Sequence, residues 1–273
     1  MKNSVFNNYN PIQVLSNALA PNVVYHKYKP AGILSEFVEC FWELSVNKKI
    51  TKSTSLPILP DGCADIVFSL QNERPVTSWI SGTMSVVSTV KLTKTSHFFG
   101  VRFWPGKLYP LFCTPMKIFA QQDIDVYRIF PEAKTWNQQL AATQSFAQRI
   151  QIVEGCLNNF IMFSADSNVQ IDSIIEDIIS QQGRISVTDF AQKHHVTDRQ
   201  LRRLFEISIG ISPKTFARTI RFQYLLQDVL NTKKGSSIRQ ALRYGYYDQP
   251  HLINDLKVIC NKTPQEFADF IGI

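Results

Sequence analysis

AQKHHVTDRQLRRLF (residues 191–205), with GISPKTF (residues 210–216) behind it, returns further along the chain as ALRYGYYDQPHLINDL (residues 241–256) followed by NKTPQEF (residues 261–267). Ala191 matches Ala241 at an offset of 50, whereas Leu201 and Leu252, Phe205 and Leu256, Pro213 and Pro264, and Phe216 and Phe267 match at 51. Self-similarity at a nearly fixed offset marks a duplicated unit. The second copy has gained one turn residue.

Each copy reads as a helix-turn-helix. A small residue, Ala191 or Ala241, lets the first helix lie close to the second, and Thr197-Asp198 or Asp248 supplies the N-cap of that second helix. The second helix then buries Leu201, Leu204 and Phe205, or Leu252 and Leu256, and leaves its opposite face free. In such motifs that face enters the major groove. On the first unit it carries Arg199, Gln200, Arg202 and Arg203; Arg bonds guanine O6 and N7 as a fork, and Gln makes a similar pair to adenine. On the second it carries Gln249, His251, Ile253, Asn254 and Lys257, which suits adenine contacts combined with apolar contact to a thymine methyl.

Between the units, Phe216, Ile220, Tyr224, Leu225 and Leu230 trace an amphipathic helix over residues 215–230. A rigid connector of this kind would set two reading heads about one helical turn of DNA apart, roughly 34 Å. Arg218, Arg221, Lys233, Lys234 and Lys257 are assigned to phosphate, where they supply salt-dependent affinity.

Charge supports the same partner. Residues 184–243 hold twelve Lys and Arg against four Asp and Glu, or +8, while the whole chain carries +7, so the remainder is near neutral. The positive field therefore lies where the motifs fall. Double-stranded DNA is the implied partner, with RNA polymerase a further candidate.

The rest of the 273 residues is a different kind of sequence. At 44% hydrophobic and 19% charged, the chain has the balance of a folded protein rather than a disordered one. Residues 37–46, 64–70, 78–80, 86–92 and 97–103 read as short strands, punctuated at Leu56-Pro57, at residues 59–62 and at Pro105-Gly106. A small barrel or sandwich closes them. After Pro115, Trp136, Leu140, Phe146, Ile150, Val153, Leu157, Phe160 and Ile161 fall at helical spacing and predict one or two helices that pack on the barrel or against a second subunit. The expected class is thus α+β: a β-rich regulatory or dimerisation domain over residues 1–163 ending in helices, a linker over 164–170, and an all-α DNA-binding domain over 171–273.

No signal peptide opens the sequence, and no apolar run reaches membrane-spanning length, which predicts a cytoplasmic protein with no membrane partner. The five cysteines are scattered, without a CxxC pair, and read as buried thiols. Asp61, Cys63, Asp65 and His97 lack the spacing of a metal or catalytic group, and only His26 and His97 stand in this half. No metal, cofactor or enzymatic activity is expected; Asp61-Gly62 reads as a turn. His194-His195 read as structural residues or phosphate contacts.

The stretches VTDRQLRRLFEISIGISPKTFARTIRFQYLL (196–226) and SIRQALRYGYYDQPHLINDLKVICNKTPQEF (237–267) closely resemble the AraC/XylS family of bacterial regulators, and the likeness spans about residues 171–267. It implies base-reading positions at Arg199, Arg202 and Arg203 in the first unit and at Gln249, Pro250, Ile253 and Asn254 in the second. The chain departs from the family pattern at Leu252 and Leu256, where Phe is usual, and at Asn261, where Gly is customary. Asn is the next best residue for a left-handed turn. Pro250 fits a first helical turn but gives up a side chain that could read a base.

FWEL (41–44), LPDGCADIVF (59–68), SGTM (81–84) and FGVRFWPG (99–106) resemble the domain preceding this module in one subgroup of the family. Related regulators use such a domain to sense a small molecule or to dimerise, which leaves two readings. In one, an effector bound near Trp42, Trp79, Arg102 and Trp104 controls DNA binding; in the other, the domain only forms a homodimer or binds a protein partner.

Overall fold

The computed structural model describes residues 6, 9–13, 23–46, 54–71, 75–120, 122–163, 169–184, 186–231 and 246–271. Strands β1 (Val23–Tyr28), β2 (Val38–Val46), β4 (Ala64–Ser69), β5 (Thr77–Ser81), β7 (His97–Phe103) and β8 (Ile124–Asp125) form one antiparallel sheet in the order β1-β2-β7-β4-β5-β8. β3 (Thr54–Ile58) pairs with β6 (Ser88–Leu92) in a separate two-stranded sheet.

Side chains alternate across a strand, so each strand of the large sheet serves two environments. One face presents Phe41, Ile66, Phe68, Ile80, Phe99, Val101 and Phe103, all fully buried. Against it pack the short helices α1 (Tyr109–Phe112) and α2 (Val126–Ile129) and the longer α3 (Ala133–Ala141) and α4 (Phe146–Phe163), through Leu111, Val126, Trp136, Leu140, Val153 and Leu157. The predicted helices thus lie on the sheet. A buried ion pair fixes α4: Arg149 donates to Glu43 Oε2 on β2 at 2.8 Å, while His97 Nε2 lies 3.0 Å from Oε1. Burial works against the Glu43 charge, but the hydrogen bonds and charges of His97 and Arg149 prevail and hold its carboxyl below the usual range.

The other face looks toward β3 and β6, with Val23, Leu44, Leu56 and Leu92 buried between the two sheets. The result is an open sandwich rather than a closed barrel. Pro57, expected to break the chain, lies inside β3 opposite Thr89. A strand with one partner tolerates the missing N–H that would interrupt a central strand.

The remaining α-helices among the described residues are α5 (Val169–Ser180), α6 (Val187–Lys193), α7 (Asp198–Ser208), α8 (Pro213–Asn231), α9 (Gln249–Cys260) and α10 (Pro264–Ile271). Of the expected linker, residues 164–168 lie outside the described residues, and Val169 already opens α5. The expected first helix of the second unit, with Ala241, likewise lies outside them. α5 places Ile171, Ile174, Ile175, Ile178 and Ile179 on one buried stripe against Phe190, Leu201, Phe205, Phe216 and Ile220.

The two helical cores both reach the β-rich half. Trp104 and Phe6 stack at 4.8 Å and join the α5–α8 core, and Leu59 joins the core of α8, α9 and α10. Gly210, at φ +94, brings its backbone so near Met116 that a Cβ would stand 2.7 Å from the Met116 carbonyl oxygen. Residues 9–13 run between the halves: Tyr9 donates to the Asp61 carbonyl at 2.7 Å, and the fully buried Gln223 of α8 bonds Ile12 and Pro60.

All five cysteines are free. Cys40, Cys63 and Cys260 are buried as expected and Cys156 is half-buried, but Cys113 is exposed. It ends α1 in a left-handed conformation, φ +50, at a helix terminus rather than in a core.

Candidate nucleic-acid interface and a cavity in the β-rich half

α6, α7 and the turn between them are assembled by local rules. Ser186 caps α6, accepting from Asp189 N at 3.1 Å. Thr197 caps α7 and Gln200 bonds back to the Thr197 N–H at 2.8 Å, forming a capping box. His195 takes the left-handed turn between the helices, φ +53, and His194 is tied down, with Nε2 2.6 Å from Asp177 and its ring stacked on Phe190. His194 is therefore a structural residue.

With Leu201 and Phe205 fully buried, α7 turns Arg199, Arg202 and Arg203 to solvent. These three guanidiniums line one shallow hollow with Asp198 and Glu206, and Glu206 is drawn aside by Lys117 at 3.0 Å. Gln200 is also exposed, yet its carbonyl oxygen is engaged by Thr197, so only its amide N–H groups remain for a base. The geometry concentrates cationic forks on one face of an eleven-residue helix whose core side is fixed.

α9 starts at Asp248, whose side chain accepts from His251 N at 2.8 Å, with Pro250 in the first turn. Gln249, Pro250, Asn254 and Lys257 are exposed and Ile253 is half-buried. His251 is half-buried: its Nδ1 accepts from Tyr247 N at 3.3 Å and its ring meets Tyr246 edge-on. Asn261 ends the helix at φ +52, ψ +39, the left-handed turn expected where Gly is customary.

Of the residues assigned to phosphate, Arg221 stands apart. It approaches the buried Asp255 of α9 to 3.6 Å and lies 5.2 Å over the Tyr246 ring, with its side chain 14% exposed. It fastens α8 to α9 instead of offering a surface cation. Arg218 is half-buried beside it on α8, Lys257 is exposed, and Lys233 and Lys234 lie outside the described residues.

A second feature lies between the two sheets. A cavity of about 420 Å³ is walled by Tyr25, Trp42, Leu44, Val67, Trp79 and Phe98 from the large sheet and by Leu56, Ile58, Val90 and Leu92 from the small one. Gly100 makes room for Trp42: a Cβ there would stand 2.2 Å from the indole, so Trp42 lies flat across β7. Its Nε1 donates to Asp65 at 2.7 Å. Arg102, 7% exposed, bonds both Asp65 oxygens at 3.3 Å and Asp61 at 3.1 Å. Burial opposes the Arg102 charge, but Asp61 and Asp65 outweigh it and keep the guanidinium protonated.

Trp42, Trp79 and Arg102, singled out from sequence, thus line one cavity, and Trp104 does not; it belongs to the contact with α5–α8. Tyr25, Asp65, Phe98 and Asp123 also line it and were missed as a set. A period-two reading of residues 79–81 and 98–102 would have placed Ser81 with Trp79, and Phe98 with Arg102, on the cavity face.

Two family models match the chain. One, described as a helix-turn-helix domain, covers residues 190–269; the other, a domain of unknown function designated DUF6597, covers residues 26–125. No curated protein matches by sequence. Among solved structures, ToxT from Vibrio cholerae O395 is 11% identical, with 93% of this chain and 100% of that chain covered at a TM-score of 0.43. A ToxT structure bound to (E)-4-(8-methylnaphthalen-1-yl)but-3-enoic acid is 11% identical over 92% and 99% of the two chains at 0.45. Unsaturated fatty acid bound ToxT from strain SCE256 is 10% identical over 90% and 94% at 0.41.

Proposed function

We propose that this chain, which matches a helix-turn-helix domain over residues 190–269 and a DUF6597 domain over residues 26–125, is a regulator of the AraC type that binds double-stranded DNA in a sequence-specific manner and is controlled by a small molecule in its β-rich half. The observation that supports the DNA reading best is the exposed face of α7, where Arg199, Arg202 and Arg203 project from a helix anchored by Leu201 and Phe205. Arg forks suit guanine in the major groove. α9 is the second head, offering Gln249, Ile253 and Asn254. α8, with nineteen residues and so about 28 Å long, is of the right size to hold two heads near one DNA turn apart.

The cavity between the sheets supports control by a ligand over a purely dimerising role. Its volume is that of a small-molecule site, and it combines apolar walls with a few polar groups. Arg102 on its wall bonds Asp61, which connects through Gln13 and Ile12 to Gln223 on α8. In this reading the protein works in the cytoplasm, where its promoters are, and catalyses no reaction.

Selection of bound sites from random duplex DNA tests the first part. Two enriched half-sites about one turn, roughly 10 bp, apart are expected. Failure to enrich any sequence would overturn it. A thermal-shift screen of small metabolites, with DNA affinity measured on each hit, tests the second; compounds that stabilise the protein without altering DNA affinity count against control.

A further inference from the structure

The charge inside the cavity is unbalanced, and the imbalance has a place. Asp65 on β4 stands directly opposite Ser81 on β5, which puts their Cβ atoms about 5 Å apart. The β5–β8 register, with Trp79 opposite Asp125 and Ile80 opposite Ile124, brings Asp123 to Ser81 from the other side, and both residues line the cavity. Asp65 and Asp123 therefore flank one serine at one end of the cavity, and Trp79, two residues before Ser81 on the same face of β5, forms the adjoining wall.

Arg102 does not neutralise this end. Its Nε is spent on both oxygens of Asp65 and its Nη1 on Asp61, so a single guanidinium serves two carboxyls, and Asp123 adds a third carboxyl to the cavity wall. Asp61 has further donors in Gln13 and the Cys63 N–H, and Asp65 has Trp42, but these are neutral. Burial raises Asp65 above the usual carboxylate range against the opposing charge of Arg102, and partial desolvation raises Asp123.

We propose that the cavity takes a cationic, largely apolar molecule, with its ammonium or amidinium-like head between Asp65, Ser81 and Asp123 against the Trp79 ring and its apolar body along Trp42, Leu44, Val90 and Phe98. This rests on the reading of the cavity as a ligand site and adds the sign of the ligand's charge. An indole face next to paired carboxyls attracts a cation both through the ring quadrupole and by direct Coulomb interaction. A carboxylate or phosphate would meet Asp65 and Asp123 with no free cation among the described residues of the cavity wall, since Arg102 is already bonded by two partners. At about 420 Å³ the space accommodates a bicyclic aromatic body with a small head group.

The test uses the full chain and two probes that share a body and differ in the sign of the head: (2-naphthylmethyl)trimethylammonium and 2-naphthylmethanesulfonate. Isothermal titration calorimetry is expected to show the ammonium binding at least tenfold tighter than the sulfonate. Asp123→Asn, at the exposed edge of the site, is expected to weaken the ammonium about tenfold and to leave the melting temperature within about two degrees of the parent. Trp79→Leu is the second variant, expected to weaken the ammonium while sparing the Asp65–Arg102 pair. Equal or tighter binding of the sulfonate, no binding of either probe, or ammonium affinity unchanged in both folded variants would overturn the inference. DNA affinity with and without the ammonium separates the two claims. Binding that leaves DNA affinity unchanged supports the ligand class and sinks control by the cavity, whereas a sulfonate that binds and shifts DNA affinity does the reverse.

Discussion

Replacing Gln223 by Leu keeps the volume of the side chain and removes its hydrogen bonds. The fully buried amide joins three points: its Oε1 accepts from Ile12 N at 2.7 Å, and its Nε2 donates to the Ile12 carbonyl at 3.2 Å and the Pro60 carbonyl at 2.8 Å. The Pro60 bond is buried, so its loss leaves a carbonyl without water and costs about 1–3 kcal/mol. The two bonds to Ile12 are part-buried and open to replacement by water, so each is worth about 0.5–1 kcal/mol. The extra apolar group recovers some of this, leaving a net destabilisation of about 2–3 kcal/mol. Urea unfolding should show it as a lower midpoint, and amide exchange should show residues 9–13 losing protection first. A loss under about 0.5 kcal/mol with unchanged exchange would refute the claim that Gln223 ties these elements together.

Gly100→Ala drives a methyl into the Trp42 indole and should cost about 2–4 kcal/mol through overpacking and the strained bond to Asp65, read by urea unfolding; a neutral result would show that Trp42 does not need its slot. Glu43→Gln leaves Arg149 buried without its counter-charge and should cost about 3 kcal/mol at pH 7. Because the folded-state carboxyl of Glu43 lies below its usual value, that contribution is complete above about pH 4.3 and is lost as pH falls through the lowered value, so the gap between parent and variant should close only in acid. Asn261→Ala places a β-carbon residue in a left-handed turn and should lower stability by about 1 kcal/mol, while Asn261→Gly should be neutral or slightly stabilising; equal effects in thermal melts would contradict the turn argument.

How far the sequence discloses the fold depends on the range of the forces involved. The capping of α7 by Thr197 and of α9 by Asp248, the left-handed Asn261 and the first-turn Pro250 are set by neighbours within a turn, and each was legible from residue type and spacing. The α3 and α4 helices and β2, β4, β5, β6 and β7 were legible from period alone. Pro57 in β3 was not, because whether a strand is an edge depends on partners remote in sequence. The same holds for Arg221, whose charge reads as a surface cation until Asp255 of α9 and Tyr246 just ahead of that helix arrive, and for Trp104, whose ring meets Phe6 and α5–α8 instead of the cavity. Cationic residues near a helix-turn-helix look alike in sequence. Packing decides which of them remain free.

The claim that α7 reads bases is tested most directly by Arg203→Ala, measured on the selected site and on random DNA at one salt concentration. Loss of a bidentate contact to guanine should cost about 1–3 kcal/mol, roughly 5- to 150-fold, on the selected site. Random DNA should lose only about threefold or less, the share of a single phosphate-range charge. Equal losses on both would contradict the account and make Arg203 a phosphate contact.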